Sequence, residues 1–305
     1  MTHRIVQIGC GRWGRNILRD LAALGARVTV VDPDAAAREH ARDLAAETLA
    51  SATDVTGPVD GYVVATPTDR HADVVDALLA TGRPIYCEKP LTHDVERARR
   101  IAKHCTRRNL FVMEKWRYHP GVRALRELAT SEELGPVRGL HSVRVQWSHP
   151  HTDVDAVWIL APHDLSIAET ILGQVPEARF AVAEGARGSG AGMVAGFGDD
   201  PWFVMEVSTL REQTRREVRL VCERGIGVLD DPLADHVKLL RTDDRAGPCA
   251  PERRAISTEL PLLLELRAFL AYLDGGPEPL CDVDAAVASV ERIARLRAMA
   301  GLPAT

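Results

Sequence analysis

Over roughly the first 115 residues, short apolar runs alternate with stretches whose apolar positions recur at helical spacing. Residues 4–8 read as a buried strand. Trp13, Ile17, Leu18, Leu21 and Leu24 then follow the spacing of one helix face, which Gly25 ends. Further strands are expected at 28–31, 59–65, 84–87 and 110–113, with helices at 35–46, from a Thr68 cap through Leu79 to Gly82, and around Val95, Ala98, Ile101 and Ala102. Strand–helix alternation with short turns predicts parallel strands, right-handed crossovers and a doubly wound sheet.

The pattern changes after about residue 120. Residues 137–147 form a long strand with Val143, Val145 and Trp147 on alternate positions. One helix follows at about 163–172, opened by Pro162-His163-Asp164. Strands are then expected at 178–183, 193–197, 202–210, 217–222, 227–229 and 236–240. No long helices separate these runs, which predicts an antiparallel sheet. Two helices close the sequence, at 262–273 and along the stripe Val283, Val287, Val290 and Ala294. The reading is therefore an α/β domain over 1–117 with a doubly wound parallel sheet. An α+β domain with a large open antiparallel sheet follows over 118–305, its helices within 260–300 able to pack back on the first domain.

Composition narrows the class. At roughly 150 residues per domain, 305 residues suggest two domains. A chain that is 46% hydrophobic and 27% charged is neither disordered, collagen-like nor disulfide-stapled. The net charge of −5 argues against a broad nucleic-acid face and for a small-molecule partner. No apolar run reaches membrane-span length, and residues 1–6 lack a secretory pattern. The six cysteines are scattered without a C-x-x-C pair, as expected of reduced thiols in a cytoplasmic protein.

Gly9-Cys10-Gly11-Arg12-Trp13-Gly14 matches G-x-G-x-x-G in the context that the motif's mechanism requires, after a strand and opening a helix. Gly9 permits the tight turn, Gly11 lets a pyrophosphate approach the backbone, and Gly14 lets helix and strand pack closely. The N–H groups at the helix start would hold the phosphates. Asp32 ends the second strand, 18 residues beyond Gly14. There its carboxylate can accept from both adenosine ribose hydroxyls and repel a 2′-phosphate, which favours NAD(H) over NADP(H). Arg38 and Arg42 read as too far into the next helix to reach such a phosphate. Ala65-Thr66-Pro67-Thr68-Asp69-Arg70-His71 and Cys87-Glu88-Lys89-Pro90 follow two further strands at the same carboxyl edge, where open parallel sheets bind ligands. Lys89 there is either half of a solvated ion pair with Glu88 or a donor to a substrate oxygen, aimed by Glu88 and Pro90.

The set GCGRWG, ATPTDRH and CEKPLT, in this order before a sheet-rich half, resembles the glucose–fructose oxidoreductase, inositol dehydrogenase and rhizopine-catabolism (Gfo/Idh/MocA) family. The resemblance implies a Rossmann domain, an open antiparallel sheet and nicotinamide-linked redox of sugars, nucleotide-activated sugars or cyclitols. It implies that Lys89 touches both nicotinamide ribose and substrate, that Thr66, Pro67 and His71 lie along the cofactor with Arg12, Trp13 and Glu88, and that Trp116-Arg117 lies near the nicotinamide. It also implies a homodimer or homotetramer through the second sheet.

Residues 158–165, WILAPHDL, resemble the family's D-x-G-x-H motif, which places His163 as the acid/base histidine. An imidazole titrating near neutrality suits proton transfer at an alcohol oxygen. Asp164, Arg117, Tyr118, Trp158 and His149 are then candidate substrate contacts, Asp164 alternatively orienting the imidazole. The departure is Ile159 at the family's usual Asp, with Ala161 at the usual Gly. Either Lys89 and His163 suffice, or Asp155 or Asp164 substitutes, or the chemistry differs: reduction of a ketone or imine, or dinucleotide binding without turnover. His149, His151, Asp153 and Asp155 fit no named zinc spacing, so no metal is expected.

Overall fold

The structure is a computed structural model and describes residues 2–105, 108–148, 153–186, 188–242 and 251–304. Two compact units divide the chain: Met1–Lys115 with Pro261–Glu291, and Trp116–Leu260 with Arg292–Thr305.

The first unit holds β1 (Arg4–Ile8), α1 (Gly14–Ala23), β2 (Arg27–Val31), α2 (Ala35–Ala41), β3 (Glu47–Leu49), β4 (Gly61–Val64), α3 (Thr68–Leu79), β5 (Ile85–Glu88), α4 (Val95–His104) and β6 (Leu110–Met113). All six strands are parallel, in the order β3-β2-β1-β4-β5-β6. That is the doubly wound order whose switch point lies between β1 and β4, where ligands bind at the strands' carboxyl ends. Burial on both faces explains the apolar runs at 85–87 of β5 and throughout β6. Three local readings change. The edge strand β3 was not expected, being three residues long and half polar. Helix α2 stops at Ala41 instead of 46, although Asp34 caps its start by accepting from Ala36 N at 2.9 Å. Thr68 is the first residue of α3, which follows Pro67 with no side-chain cap.

The second unit holds α5 (Pro120–Ser131), β7 (Val137–Trp147), α6 (Ala156–Leu172), β8 (Ala178–Glu184), β9 (Gly192–Phe197), β10 (Trp202–Ser208), β11 (Leu210–Cys222), β12 (Gly225–Leu229), β13 (His236–Arg241) and β14 (Glu252–Ala255). These strands form one sheet, β14-β13-β12-β11-β7-β10-β9-β8. The pairs are antiparallel except β7 with β10, which run parallel. The α6–β8–β9 stretch is what lets β10 return in the same direction as β7. Helices α5 and α6 pack on one face, over Leu140, Phe203, Met205, Val207, Val218 and Leu220. Strand alternation sends His141, Glu206 and Glu217 to the other face.

Helix α6 begins seven residues before the expected start. Asp155, not the Pro162 segment, is its cap: Asp155 Oδ1 accepts from Val157 N at 3.1 Å and from Trp158 N at 3.3 Å. Pro162 sits inside the helix. An interior proline forfeits one helical hydrogen bond. The helix continues through it because its apolar residues are buried nearly all round, from Ala156 to Ile171.

Two terminal helices complete the fold. Helix α7 (Pro261–Leu273) belongs to the first unit, where Leu262, Leu266, Phe269 and Leu270 join the core of Ile17, Leu21, Tyr86 and Phe111. Helix α8 (Val283–Met299) contributes residues up to Glu291 to the first unit and the rest to the second.

Candidate functional site

The glycine turn after β1 is shaped by close approach. Gly9 has φ +93°, and a Cβ there would lie 2.5 Å from the Ala65 carbonyl oxygen. A Cβ at Gly14 would lie 2.6 Å from the Gly9 oxygen. Gly11 differs: a Cβ built on it meets nothing within 4 Å. Among the described residues nothing crowds Gly11, an open backbone that suits a pyrophosphate. The α1 N-terminus beside it has no side-chain cap, so it suits an external anion. Gln7 is a residue that the sequence reading passed over. Fully buried in β1, its Nε2 donates to Gly9 O at 2.9 Å and Gly14 O at 2.8 Å, clamping both ends of the turn.

Asp32 closes β2 as a buried carboxylate. Its Oδ2 accepts from Cys10 N at 2.7 Å and its Oδ1 from Asp34 N at 2.9 Å, which fixes its direction and leaves each oxygen acceptor capacity. The reading of Arg38 needs correction. From the first turns of α2 it reaches back to the strand end, where Nη1 donates to Asp32 O at 2.7 Å and Pro33 O at 2.8 Å. Residues i and i+4 share a helix face, and the long arginine side chain spans the remaining gap.

The loops after β4 and β5 are tied together by His71. Its Nδ1 lies 2.7 Å from Pro90 O and its Nε2 2.9 Å from Thr66 O, with the ring 1% exposed. His71 is thus a staple between the two loops. Thr66 Oγ1 is buried with no hydrogen-bond partner among the described residues, a second feature that suits a bound dinucleotide. Glu88 accepts from Trp13 Nε1 at 2.5 Å and from Lys89 N at 3.1 Å, and Lys115 Nζ lies 4.3 Å over the Trp13 ring. Lys89 itself is half-buried, whereas Arg12 and Pro67 are exposed. Behind β5, Glu265 on α7 accepts from the Tyr86 hydroxyl at 3.4 Å. Burial, then the negative charge of Glu88, pushes the Glu265 carboxyl well above the usual carboxylate range.

The second unit assembles a different cluster. His163 is half-buried on α6, its ring centroid 6.5 Å from that of Trp116. His119 stacks on Trp116 at 4.8 Å, and the Arg144 guanidinium lies 4.4 Å over it. Arg144 Nε donates to Asp164 Oδ2 at 2.7 Å, and both side chains are buried. Burial pushes the Asp164 carboxyl up, and Arg144 pulls it back. Arg117 is held by Glu169 at 2.7 Å.

Residues 3–115 match the family described as "Oxidoreductase family, NAD-binding Rossmann fold", GFO_IDH_MocA. The chain belongs to the Gfo/Idh/MocA oxidoreductase family. It is 30% identical over 218 residues to an inositol 2-dehydrogenase of Saccharopolyspora erythraea, a match covering 68% of this chain and 63% of the relative. The chain thus spans less than two thirds of the curated relatives it matches. The structure of the UDP-N-acetylglucosamine 3-dehydrogenase GnnA from Acidithiobacillus ferrooxidans superposes with TM-score 0.84 at 22% identity, over 99% of this chain and 98% of that one. The WlbA dehydrogenase from Bordetella pertussis, in complex with NADH and UDP-GlcNAcA, superposes with TM-score 0.81 at 16% identity, covering 98% and 95%.

For this Gfo/Idh/MocA member, the structure separates the expected site residues into groups. Gly9, Gly11, Gly14, Asp32, Thr66, Trp13, Glu88 and Lys89 gather at the carboxyl edge of the first sheet. Trp116 and His163 meet in the second unit. Three expected substrate contacts are buried against neighbouring side chains. Asp164 is buried against Arg144. Trp158 is fully buried beneath Arg297. Tyr118 is 5% exposed beneath Arg123. His149 lies outside the described residues. Both acids expected to be able to replace the Asp missing at Ile159 have partners of their own: Asp155 caps α6 and pairs with Arg297, and Asp164 pairs with Arg144. Ile159, one turn before His163, is buried.

Proposed function

We propose that this chain is an NAD(H)-dependent oxidoreductase acting on a carbinol or ketone carbon of a sugar, nucleotide-activated sugar or cyclitol. The observation that carries the reading is the Gly11 cradle beside the oriented Asp32 carboxylate, at the edge where Lys89 stands. When bound, the nicotinamide cofactor supplies or accepts the hydride at its ring carbon C4. The chain's own residues do the rest. The turn at 9–14 and the uncapped α1 start hold the pyrophosphate, and Asp32 accepts from the adenosine ribose. Lys89 donates to the substrate oxygen, and His163 takes the hydroxyl proton on oxidation or returns it on reduction.

NAD(H) is favoured over NADP(H) because a fixed carboxylate repels a 2′-phosphate. Arg38, though it reaches the strand end, is already engaged with two carbonyls there. Asp32→Ser should narrow the preference, read as the ratio of kcat/KM for the two cofactors. We also propose a homodimer or homotetramer through the outer face of the second sheet, where Trp147 is 67% and Val182 61% exposed. Sedimentation equilibrium reads that directly. Among the described residues no helix is long and apolar enough to cross a membrane.

The test of the activity is nicotinamide absorbance over a panel of cyclitols, sugars and nucleotide sugars in both directions. Turnover of none of them, with NADH bound, would overturn it. The buried Ile159 favours one second reading: reduction of a ketone or imine, for which the proton demand differs. It predicts turnover that survives His163→Ala but not Lys89→Ala.

A further inference from the structure

On the helix-covered face of the second sheet, Arg144 on β7 and Arg216 on β11 are direct register partners. Two cations opposite one another on one face of a strand pair repel. Arg144 has one carboxylate, Asp164. Among the described residues, Arg216 hydrogen-bonds only a neutral acceptor, Gln146 Oε1 at 3.3 Å, and it is exposed. Glu217, the next residue, lies on the opposite face of β11 between Arg215 and Arg219. Partial burial, then the charge of Arg144, pulls the Arg216 guanidinium below its ordinary value, while Asp164 acts the other way. Two guanidiniums therefore share one carboxylate. The cluster borders Trp116 and His163, since Arg144 lies over Trp116 and Asp164 follows His163 on α6.

An arginine fork accepts a carboxylate or phosphate by two parallel hydrogen bonds, and such a group would remove the repulsion between the two strands. We propose that Arg216, with Arg144 behind it, forms an anion subsite beside His163 that takes a carboxylate or phosphate borne by the substrate. Arg144 is the buried, preset charge, and Arg216 is the exposed arm that closes on the anion. The inference deepens the oxidoreductase reading and rests on it for the word substrate. It narrows the substrate class to acidic sugars or cyclitols, or their phosphates.

The experiment uses the full chain with NAD+ and three probes: D-glucuronate, D-glucose 6-phosphate and D-glucose. Their affinities are measured by calorimetry for the wild type, Arg216→Gln and Arg216→Lys, with NADH affinity as the control for folding. At least one acidic probe is expected to bind about tenfold or more tighter than glucose, the size of one charge-assisted contact. Which probe does so distinguishes carboxylate from phosphate. Arg216→Gln should bring that ratio close to one, and Arg216→Lys should keep part of it, with NADH affinity unchanged in both. Equal affinity for the three probes, no binding of either acid, or a preference that survives Arg216→Gln would overturn the subsite. Turnover separates the two claims. An acid preference without turnover of any probe or of any member of the cyclitol, sugar and nucleotide-sugar panel leaves the subsite standing and sinks the oxidoreductase reading. Turnover of the neutral compounds with no acid preference does the reverse.

Discussion

The two candidate regions are built from different materials. At the carboxyl edge of the first sheet the working surface is mostly backbone: a glycine turn, an uncapped helix start, and loops fixed by Gln7 and His71. In the second unit it is all side chain, with His163, Trp116, Arg144 and Asp164 meeting from three separate segments. A backbone site is specified by local sequence, because glycine spacing fixes the path of the chain. A side-chain site depends on register and packing. The first should therefore break under small steric changes, and the second under changes of charge.

The largest expected effect contrasts two glycines in one turn. Gly9→Ala puts a Cβ 2.5 Å from a backbone oxygen at a left-handed φ. The φ alone costs about 1–2 kcal/mol, and the clash adds to it. It should lower the melting temperature and abolish NADH binding together. Gly11→Ala meets nothing within 4 Å among the described residues. Its stability should stay within about 0.5 kcal/mol of wild type, while NADH affinity falls about tenfold or more, because the methyl occupies the pyrophosphate's place. Equal affinity in Gly11→Ala and wild type, by fluorescence titration, would remove the cradle from the account.

Asp164→Asn probes the second region. It leaves the buried Arg144 without its counter-charge, which typically costs about 3–5 kcal/mol. Urea unfolding should show a loss of that order. A loss below about 1 kcal/mol would mean that the pair is solvated, not buried.

The smallest effect concerns Glu265. Its folded pKa is raised by burial and by Glu88, so the fold favours its protonated form. That contribution is complete below the ordinary carboxylate range and is lost as pH rises through the raised folded value. Melting temperature should thus decline more in wild type than in Glu265→Gln, which cannot ionise, as pH rises above the ordinary carboxylate range. Identical slopes would contradict the assignment.

The contrast also explains what the sequence made legible. Strand β1 and the close approaches at Gly9 and Gly14 followed from local pattern, as did Asp32 at the end of β2. Arg38 did not, because its reach to the strand end depends on where α2 sits. The start of α6 was misplaced because Pro162 resembles a first-turn proline. The better signal was Asp155 before an apolar run, since its side chain caps two backbone N–H groups. The parallel β7–β10 pair and the Arg144–Arg216 pairing are facts of register, which no single strand's pattern encodes. Gln7 did leave a trace, a lone amide inside the buried run of β1. His71 sat in a resembling motif, yet its partners are two carbonyls brought together only by the fold.

The central claim is that Lys89 and His163 handle the substrate oxygen and its proton. Initial rates by nicotinamide absorbance, on whichever substrate the wild type turns over, test it in Lys89→Ala, His163→Ala and the double variant. Each single variant should lose about 10²–10⁴-fold in kcat, the usual worth of a positioned proton donor or acceptor. NADH affinity should hold in His163→Ala. Full activity in the double variant would contradict the account.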